Sequence, residues 1–459
     1  MAQTLELRVK PEERMVTEPC AVVVQGAPPG AQITLEATLR DRGGQSWSSR
    51  AVFYADHRGS LDTGRDASIA GTYHGVDAEG LFWSMLPATL EELVSEGAGV
   101  APVASPRRYA DFDDFRLGHT AEGYALRRDP ITVTVSAHLS GAHAAEPQMR
   151  SETCRVFMIR PGVRRTEVCE GELRGAIYEP AGEGPHPIAV VVTGSGGGAN
   201  EMKACLLASH GITAFALAHF NHPGRPVSLI DLPLEHFRDA IDWFAARYGQ
   251  SRVALMGDSR GGEAVLLIAS HFPDRVAALI PGVPSNMIFA GVDIETFEPG
   301  PAWSFEGRSL PYCTWSFTDT RPSEILVGSS EARDIYRHDM TAHDLDDPRT
   351  IPVERIDCPI LLISGEADAV WPGNMACERV LERLTAKGFA HPVEHIEYKG
   401  AGHLVNYPML IKSRAELTEL NEFGFAMAIG GNPKDNAFAQ SDAFHRTLAF
   451  VKQHAAPAG

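Results

Sequence analysis

From Val253 the chain reads as an apolar strand, Val253-Ala254-Leu255-Met256, that turns through Gly257-Asp258-Ser259-Arg260-Gly261 and passes straight into an apolar-periodic helix. A strand that reverses into a helix so abruptly needs small residues on both sides of the turn. The arrangement lifts one serine hydroxyl out of a sheet, the context of a nucleophile elbow. A free serine hydroxyl is a poor nucleophile, so the turn predicts a histidine base and a carboxylate further along. The chemistry it points to is acyl transfer or hydrolysis.

The surrounding sequence places that turn in an α/β domain. Ile188-Ala189-Val190-Val191-Val192 is a wholly apolar strand of the kind buried on both faces of a parallel sheet. A glycine-rich loop follows it, then a helix near Glu201–His210, a strand at Thr213–Leu217 and a helix at Leu234–Arg247. Further strands fit Ala277–Ile280 and Ile360–Ile363. Alternation of this sort predicts a doubly wound sheet of the α/β-hydrolase type. Residues 290–350, rich in Pro, Trp, Phe and polar groups, read as an irregular insertion between late strands.

The first third differs. Val22–Val24, Ile33–Leu39, Ser48–Tyr54 and Ile131–Val135 are β-branched or alternating, with turn clusters such as Gly26-Ala27-Pro28-Pro29-Gly30 between them. That spacing predicts an immunoglobulin-like β-sandwich, with a short helical interruption at Leu90–Gly97. With 459 residues, two domains are expected: an all-β sandwich over 1–165 and an α/β-hydrolase catalytic domain over 166–459.

A formal net charge of −18 argues against nucleic acid as a partner. The seven cysteines are scattered without the short Cys or His spacings of a zinc site. No metal is expected. The N-terminal Met1-Ala2-Gln3-Thr4-Leu5-Glu6 lacks the features of a signal peptide, and no apolar run approaches the ~18 residues that span a bilayer. Reduced thiols and a cytoplasmic location are the expectation.

The partners of the serine are in place. Pro359–Ser364 reads as a buried strand that runs out into Gly365-Glu366-Ala367-Asp368, and Tyr398-Lys399-Gly400-Ala401-Gly402-His403 sets a histidine on a glycine-flanked loop. The order Ser, Asp, His is that of α/β-hydrolases. Ser259 is the candidate nucleophile, His403 the base and Asp368 the residue that orients it, with Glu366 a rival for the last role. The backbone N–H of Arg260 is one candidate oxyanion donor; Ser195, Gly196 and Gly197 in Thr193-Gly194-Ser195-Gly196-Gly197-Gly198 are candidates for the second. His219, Asn221 and His222 follow a strand end and either line the pocket or cap the next element. Cys205 and Cys313 sit on no elbow, and Asp258 reads as structural or a modest tuner of the site.

These landmarks resemble the family of acyl-CoA thioesterases and bile acid-CoA:amino acid N-acyltransferases. The resemblance also rests on Trp47-Ser48-Ser49-Arg50-Ala51, Gly80-Leu81-Phe82-Trp83-Ser84-Met85, Asp368–Trp371, Gly402-His403, Gly430-Gly431-Asn432-Pro433 and Ala439-Gln440-Ser441-Asp442, in that order along nearly the whole chain. It implies an acyl thioester substrate in lipid metabolism, cleaved through an acyl-enzyme without a cofactor. The family's triad falls on Ser259, Asp368 and His403. The amino-acid-conjugating branch carries cysteine as nucleophile, so serine here favours hydrolysis of acyl-CoA. The alternative is an acyltransferase or cyclase that passes the acyl group from CoA or a carrier protein to an amine or hydroxyl, for instance in a biosynthetic pathway. The phosphates of CoA call for cations, and Arg260 and Arg225 are candidates by position, although a surface role or a salt bridge is the commoner fate of a single arginine. Trp303, Phe305, Tyr312, Trp315 and Phe317 either line an acyl pocket or pack in the core.

Overall fold

The computed structural model describes residues 4–40, 46–87, 128–139, 147–293, 295–296, 298–314, 330–408, 419–420, 426–427 and 430–457. Two compact units divide the chain between Met158 and Ile159, with Pro408 in the first unit and the described residues from Glu419 onward in the second.

The first unit is a β-sandwich. One sheet has Ala21–Gln25 at its centre, paired with Glu6–Lys10 on one side and Leu61–Asp62 on the other. The other runs in the order Glu13–Met15, Gln148–Phe157, Ile131–Leu139, Gln32–Arg40, Ser46–Tyr54, Ala70–Gly71. Alternation explains the packing: Val133, Val135, Ala137 and Leu139 are buried along one face of their strand, as are Ile33, Leu35, Ala37 and Leu39 on the strand beside it. A single helical turn, Gly80–Trp83, covers this core with Leu81, Phe82 and Trp83. The helix expected at Leu90–Gly97 lies outside the described residues.

The second unit is built on an eight-stranded sheet. Its strands are β1 (Arg164–Glu170), β2 (Leu173–Glu179), β3 (Ile188–Val192), β4 (Thr213–Ala218), β5 (Val253–Asp258), β6 (Val276–Gly282), β7 (Ile360–Gly365) and β8 (Val393–Tyr398). The spatial order is β1-β2-β4-β3-β5-β6-β7-β8, with β2 antiparallel to both neighbours and every pair from β4 to β8 parallel. This is the α/β-hydrolase order. Helices α1 (Glu201–Ser209), α2 (Leu234–Arg247), α3 (Arg260–His271), α4 (Ser330–Ala342), α5 (Gly373–Ala386) and α6 (Pro433–His454) lie between and after the strands.

Every residue of β3, β4, β5 and β7 is buried, which is why these strands carry no alternation in the sequence. At the edges the pattern changes: β1 is mostly exposed, and β8 is half-buried or exposed except at Tyr398. Between β6 and β7 the chain is less irregular than its composition suggests. It holds two short hairpins, Gly291–Val292 with Pro299–Gly300 and Trp303–Phe305 with Arg308–Ser309, followed by α4.

The connection from β3 through α1 leads to one side of β3, and that from β5 through α3 leads to the opposite side of the sheet, to β6. The order therefore reverses between β3 and β5. A crevice opens at such a switch point beyond the carboxyl ends of the strands. The loop after β3 packs against the turn after β5 there. Among the described residues no helix is long and apolar enough to cross a membrane.

Candidate active site

Ser259 occupies the turn between β5 and α3 with φ 60° and ψ −125°, a conformation that a non-glycine residue adopts only when its surroundings enforce it. The enforcement is visible. Ser259 N–H donates to Gly282 O on β6 at 2.9 Å, and Glu263 N–H donates back to Ser259 O at 3.1 Å. Backbones press together around the turn: a Cβ on Gly257 would stand 2.5 Å from Gly261 O, and one on Gly261 would stand 2.7 Å from Thr193 O. Only glycine fits at either place, so the spacing seen in the sequence reflects packing.

Asp368 is fully buried on the loop after β7, and His403 is nearly so on the loop after β8. His403 Nδ1 lies 2.7 Å from Asp368 Oδ2. A carboxylate can only accept, so in the neutral ring Nδ1 carries the proton and Nε2 is left with its lone pair, the state a general base requires. The other carboxylate oxygen, Oδ1, accepts from Val370 N at 2.9 Å and Trp371 N at 3.3 Å, which fixes the side chain. Trp371 in turn meets the His403 ring edge-on, with centroids 6.3 Å apart, and donates its indole N–H to Val283 O at 2.8 Å. Glu366, the rival acid, is exposed and accepts from Gly400 N at 3.2 Å. It braces the histidine loop and does not touch the imidazole.

The glycine loop after β3 reaches the elbow. A Cβ on Gly194 would stand 3.6 Å from Ser259 Cβ and 4.0 Å from Arg260 N. Arg260 opens α3, where the first N–H groups have no partner within the helix. Within the loop, Gly197 N–H donates to Gly194 O at 3.2 Å and closes a turn. That removes Gly197 from the expected donors; the exposed Ser195 and Gly196 keep their place on the loop's outer side. Asn221 does not point into a pocket either: its Nδ2 donates to Gly196 O at 2.9 Å and holds the loop in shape. His222 is half-buried and its Nδ1 lies against Pro223 O.

Neither arginine expected at the mouth is available to a phosphate. The Arg260 guanidinium is buried and donates to Glu263 Oε2 at 2.7 Å, Ala290 O at 3.1 Å and Phe289 O at 3.2 Å. The Arg225 side chain is engaged with His219 O and with both the backbone and carboxylate of Glu172. Burial lowers its affinity for a proton. In both cases tertiary partners consume a charge that looks free in the sequence. Glu263, fully buried, also accepts the Trp303 indole N–H at 2.8 Å, and burial raises its carboxyl above the ordinary range. Trp303 is core, and Phe305 packs on His271 with centroids 4.8 Å apart. Tyr312 is half-buried against the same core, while Trp315 and Phe317 lie outside the described residues. His219 is buried in an aromatic cage of Phe220, Phe237 and Trp303, and desolvation pushes its imidazole down to about 3.

Three groups of residues around the site were not recognised from the sequence as parts of it. Gly430 bridges Asp368, and Gly431 bridges Ala401, so one short segment backs both the acid and the histidine loops. Asn436 on α6 accepts from Gly402 N at 2.8 Å and donates to Gly430 O at 3.2 Å. Beside the elbow, Lys203 of α1 pairs with Asp258, and its ammonium lies 4.5 Å from the centre of the Tyr407 ring. Burial and the Asp258 carboxylate hold the Tyr407 phenol well above its ordinary value. The signal in the sequence was a lone lysine inside the apolar run Met202–Ser209.

The chain resembles known proteins over most of its length. Residues 232–457 match the family described as BAAT / acyl-CoA thioester hydrolase C terminal, and residues 17–102 match the acyl-CoA thioester hydrolase/BAAT N-terminal region. Acyl-coenzyme A thioesterase 1 of Homo sapiens is 29% identical over 443 residues, 95% of this chain and 93% of its own. The peroxisomal succinyl-coenzyme A thioesterase of Mus musculus is 28% identical over 463 residues, 99% of this chain and 97% of its own. Among solved structures, an esterase/lipase from an uncultured bacterium aligns with a TM-score of 0.39 at 12% identity, over 80% of this chain and 97% of that one.

Proposed function

The chain belongs to the acyl-CoA thioester hydrolase/BAAT family, and on that premise we propose that it hydrolyses acyl-CoA through a covalent acyl-enzyme on Ser259. The observation that carries this reading is the buried Asp368–His403 pair at 2.7 Å, on the loops after β7 and β8, together with a serine held at φ 60° on the turn after β5.

Ser259 Oγ attacks the thioester carbonyl carbon while His403 Nε2 takes the hydroxyl proton. Negative charge gathers on the carbonyl oxygen, where the Arg260 N–H and one N–H of Ser195 or Gly196 meet it. The C–S bond then breaks, and His403 returns the proton to the departing thiolate. A thiolate leaves readily, so acylation asks less of the base than amide cleavage does. Water, deprotonated by His403, attacks the acyl ester and releases the carboxylic acid and free Ser259. Asp368 keeps the imidazole in its productive tautomer and stabilises it when charged.

The test is release of free CoA from a panel of acyl-CoA chain lengths, read with a thiol reagent, together with intact mass of the protein trapped mid-turnover. Ser259→Ala should abolish CoA release without altering the melting temperature, and the wild type should carry an acyl group on Ser259. A Ser259→Ala protein that still turns over removes the serine mechanism. Wild-type protein inert on every chain length removes the substrate class.

A further inference from the structure

The side chains beside the nucleophile form a buried set that the triad does not use. Asp258 precedes Ser259, Lys203 lies on α1, and Asn200 caps α1 directly after the glycine loop. Tyr407 stands four residues beyond His403. All four are nearly inaccessible. The Lys203 ammonium binds the Asp258 carboxylate and rests over the Tyr407 ring. The Tyr407 hydroxyl bonds to Asp258 and accepts from Asn200 Nδ2 at 3.0 Å. Asn200 Oδ1 accepts the Lys203 backbone N–H at 3.1 Å, which closes the network.

Three of the four belong to different parts of the proposed catalytic machinery. Asn200 ends the loop that supplies an oxyanion donor, Asp258 is the residue before the nucleophile, and Tyr407 terminates the histidine loop. We propose that Lys203, Asp258 and Tyr407 are positioning residues that lock these three loops into one geometry, and that Lys203 keeps the Asp258 charge from opposing the oxyanion. The inference rests on the serine reading above. Two physical points carry it. A buried carboxylate one residue from the attacking serine, left without a counter-charge, would repel the negative charge that forms on the substrate oxygen, because the low dielectric there screens little. Loops that converge on a reacting atom from separate strands also need a common anchor, since small misplacements cost large factors in rate.

The experiment uses the full-length protein and measures the rate at which a fluorophosphonate labels Ser259, with kcat and KM for acyl-CoA and the melting temperature alongside. Tyr407→Phe keeps the ring beneath Lys203 and removes only the hydroxyl; it should lower kcat about tenfold with KM within about twofold, a split expected when orientation and not binding is lost. Lys203→Met should slow labelling by about a hundredfold, the loss expected when an oxyanion is destabilised. Adding Asp258→Asn to Lys203→Met removes the orphaned charge and should recover about tenfold of that loss, a non-additivity that simple packing would not produce.

Labelling of Lys203→Met within about twofold of wild type, or a double variant no faster than the single one, overturns the proposal. If Lys203→Met does not fold, the neutral double variant and Tyr407→Phe still decide: a kcat for Tyr407→Phe equal to wild type overturns it. A wild-type protein that the reagent fails to label overturns the serine reading and this inference with it, whereas equal labelling of all variants overturns the inference alone.

Discussion

Gly430→Ala is expected to damage catalysis far more than stability. Gly430 has φ 78°, and its bridge to Asp368 brings it so close that a Cβ would stand 2.1 Å from Ala367 O and 2.8 Å from Ala369 N. Those backbone atoms flank Asp368, the proposed catalytic acid. The left-handed conformation alone costs a side chain about 1–2 kcal/mol. Restoring ordinary contact requires a separation of roughly an ångström, since carbon and its neighbours meet comfortably only near 3.5 Å. Asp368 must move with its neighbours, and an ångström at a catalytic group costs on the order of a hundredfold, about 2.7 kcal/mol of barrier.

Gly388 supplies the control. Its φ is 69°, but a Cβ there would meet nothing within 4 Å. Gly388→Ala should therefore show the conformational cost alone, about 1–2 kcal/mol in unfolding, with kcat unchanged. The assay compares kcat and KM for CoA release and urea unfolding for both variants. Equal kcat in the two would refute the argument that this segment positions the acid.

Two other expectations concern stability. Glu263→Ala leaves the Arg260 guanidinium buried without a counter-charge and the Trp303 indole without its acceptor; it should destabilise the protein by about 3–5 kcal/mol in urea unfolding, and adding Arg260→Met should restore most of that loss, because both charges then go together. His219 and His236 are held neutral by burial, at about 3 and about 4, below the ordinary 6.5. A histidine whose folded pKa is depressed favours the native state fully above 6.5 and loses that contribution as pH falls toward the folded value. Lowering the pH from 7.5 to 5 should therefore cost about 2 kcal/mol per ring. His219→Phe should flatten the slope of unfolding free energy against pH in that window; an unchanged slope would assign the acid sensitivity to other groups.

The sequence by itself determined the catalytic scaffold to an unusual degree of detail, because its elements are of the kind that local pattern reports. Strands buried on both faces read as continuous apolar runs, and β3 to β7 were each legible for that reason. The edge strands were less so: β1 and β8 face solvent, and their residues carry no uniform pattern. Ser259, Asp368 and His403 were nameable as a candidate triad because sharp turns need small residues beside them and the proposed chemistry needs three residue types in order. Tertiary structure alone decided where the charges went. Nothing local on a chain of net charge −18 says which partners Arg260 and Arg225 take, yet Arg260 is held by the carbonyls of Phe289 and Ala290 and Arg225 by Glu172, all far from them in sequence. Lys203 and Tyr407 gather beside Asp258, next to the proposed nucleophile, only because α1 and the loop after β8 meet at the end of β5, a convergence created by the sheet order. Gly430 presses on Asp368 for the same reason. Local sequence encodes backbone direction and burial, whereas electrostatic partnership depends on which distant segments the sheet brings together.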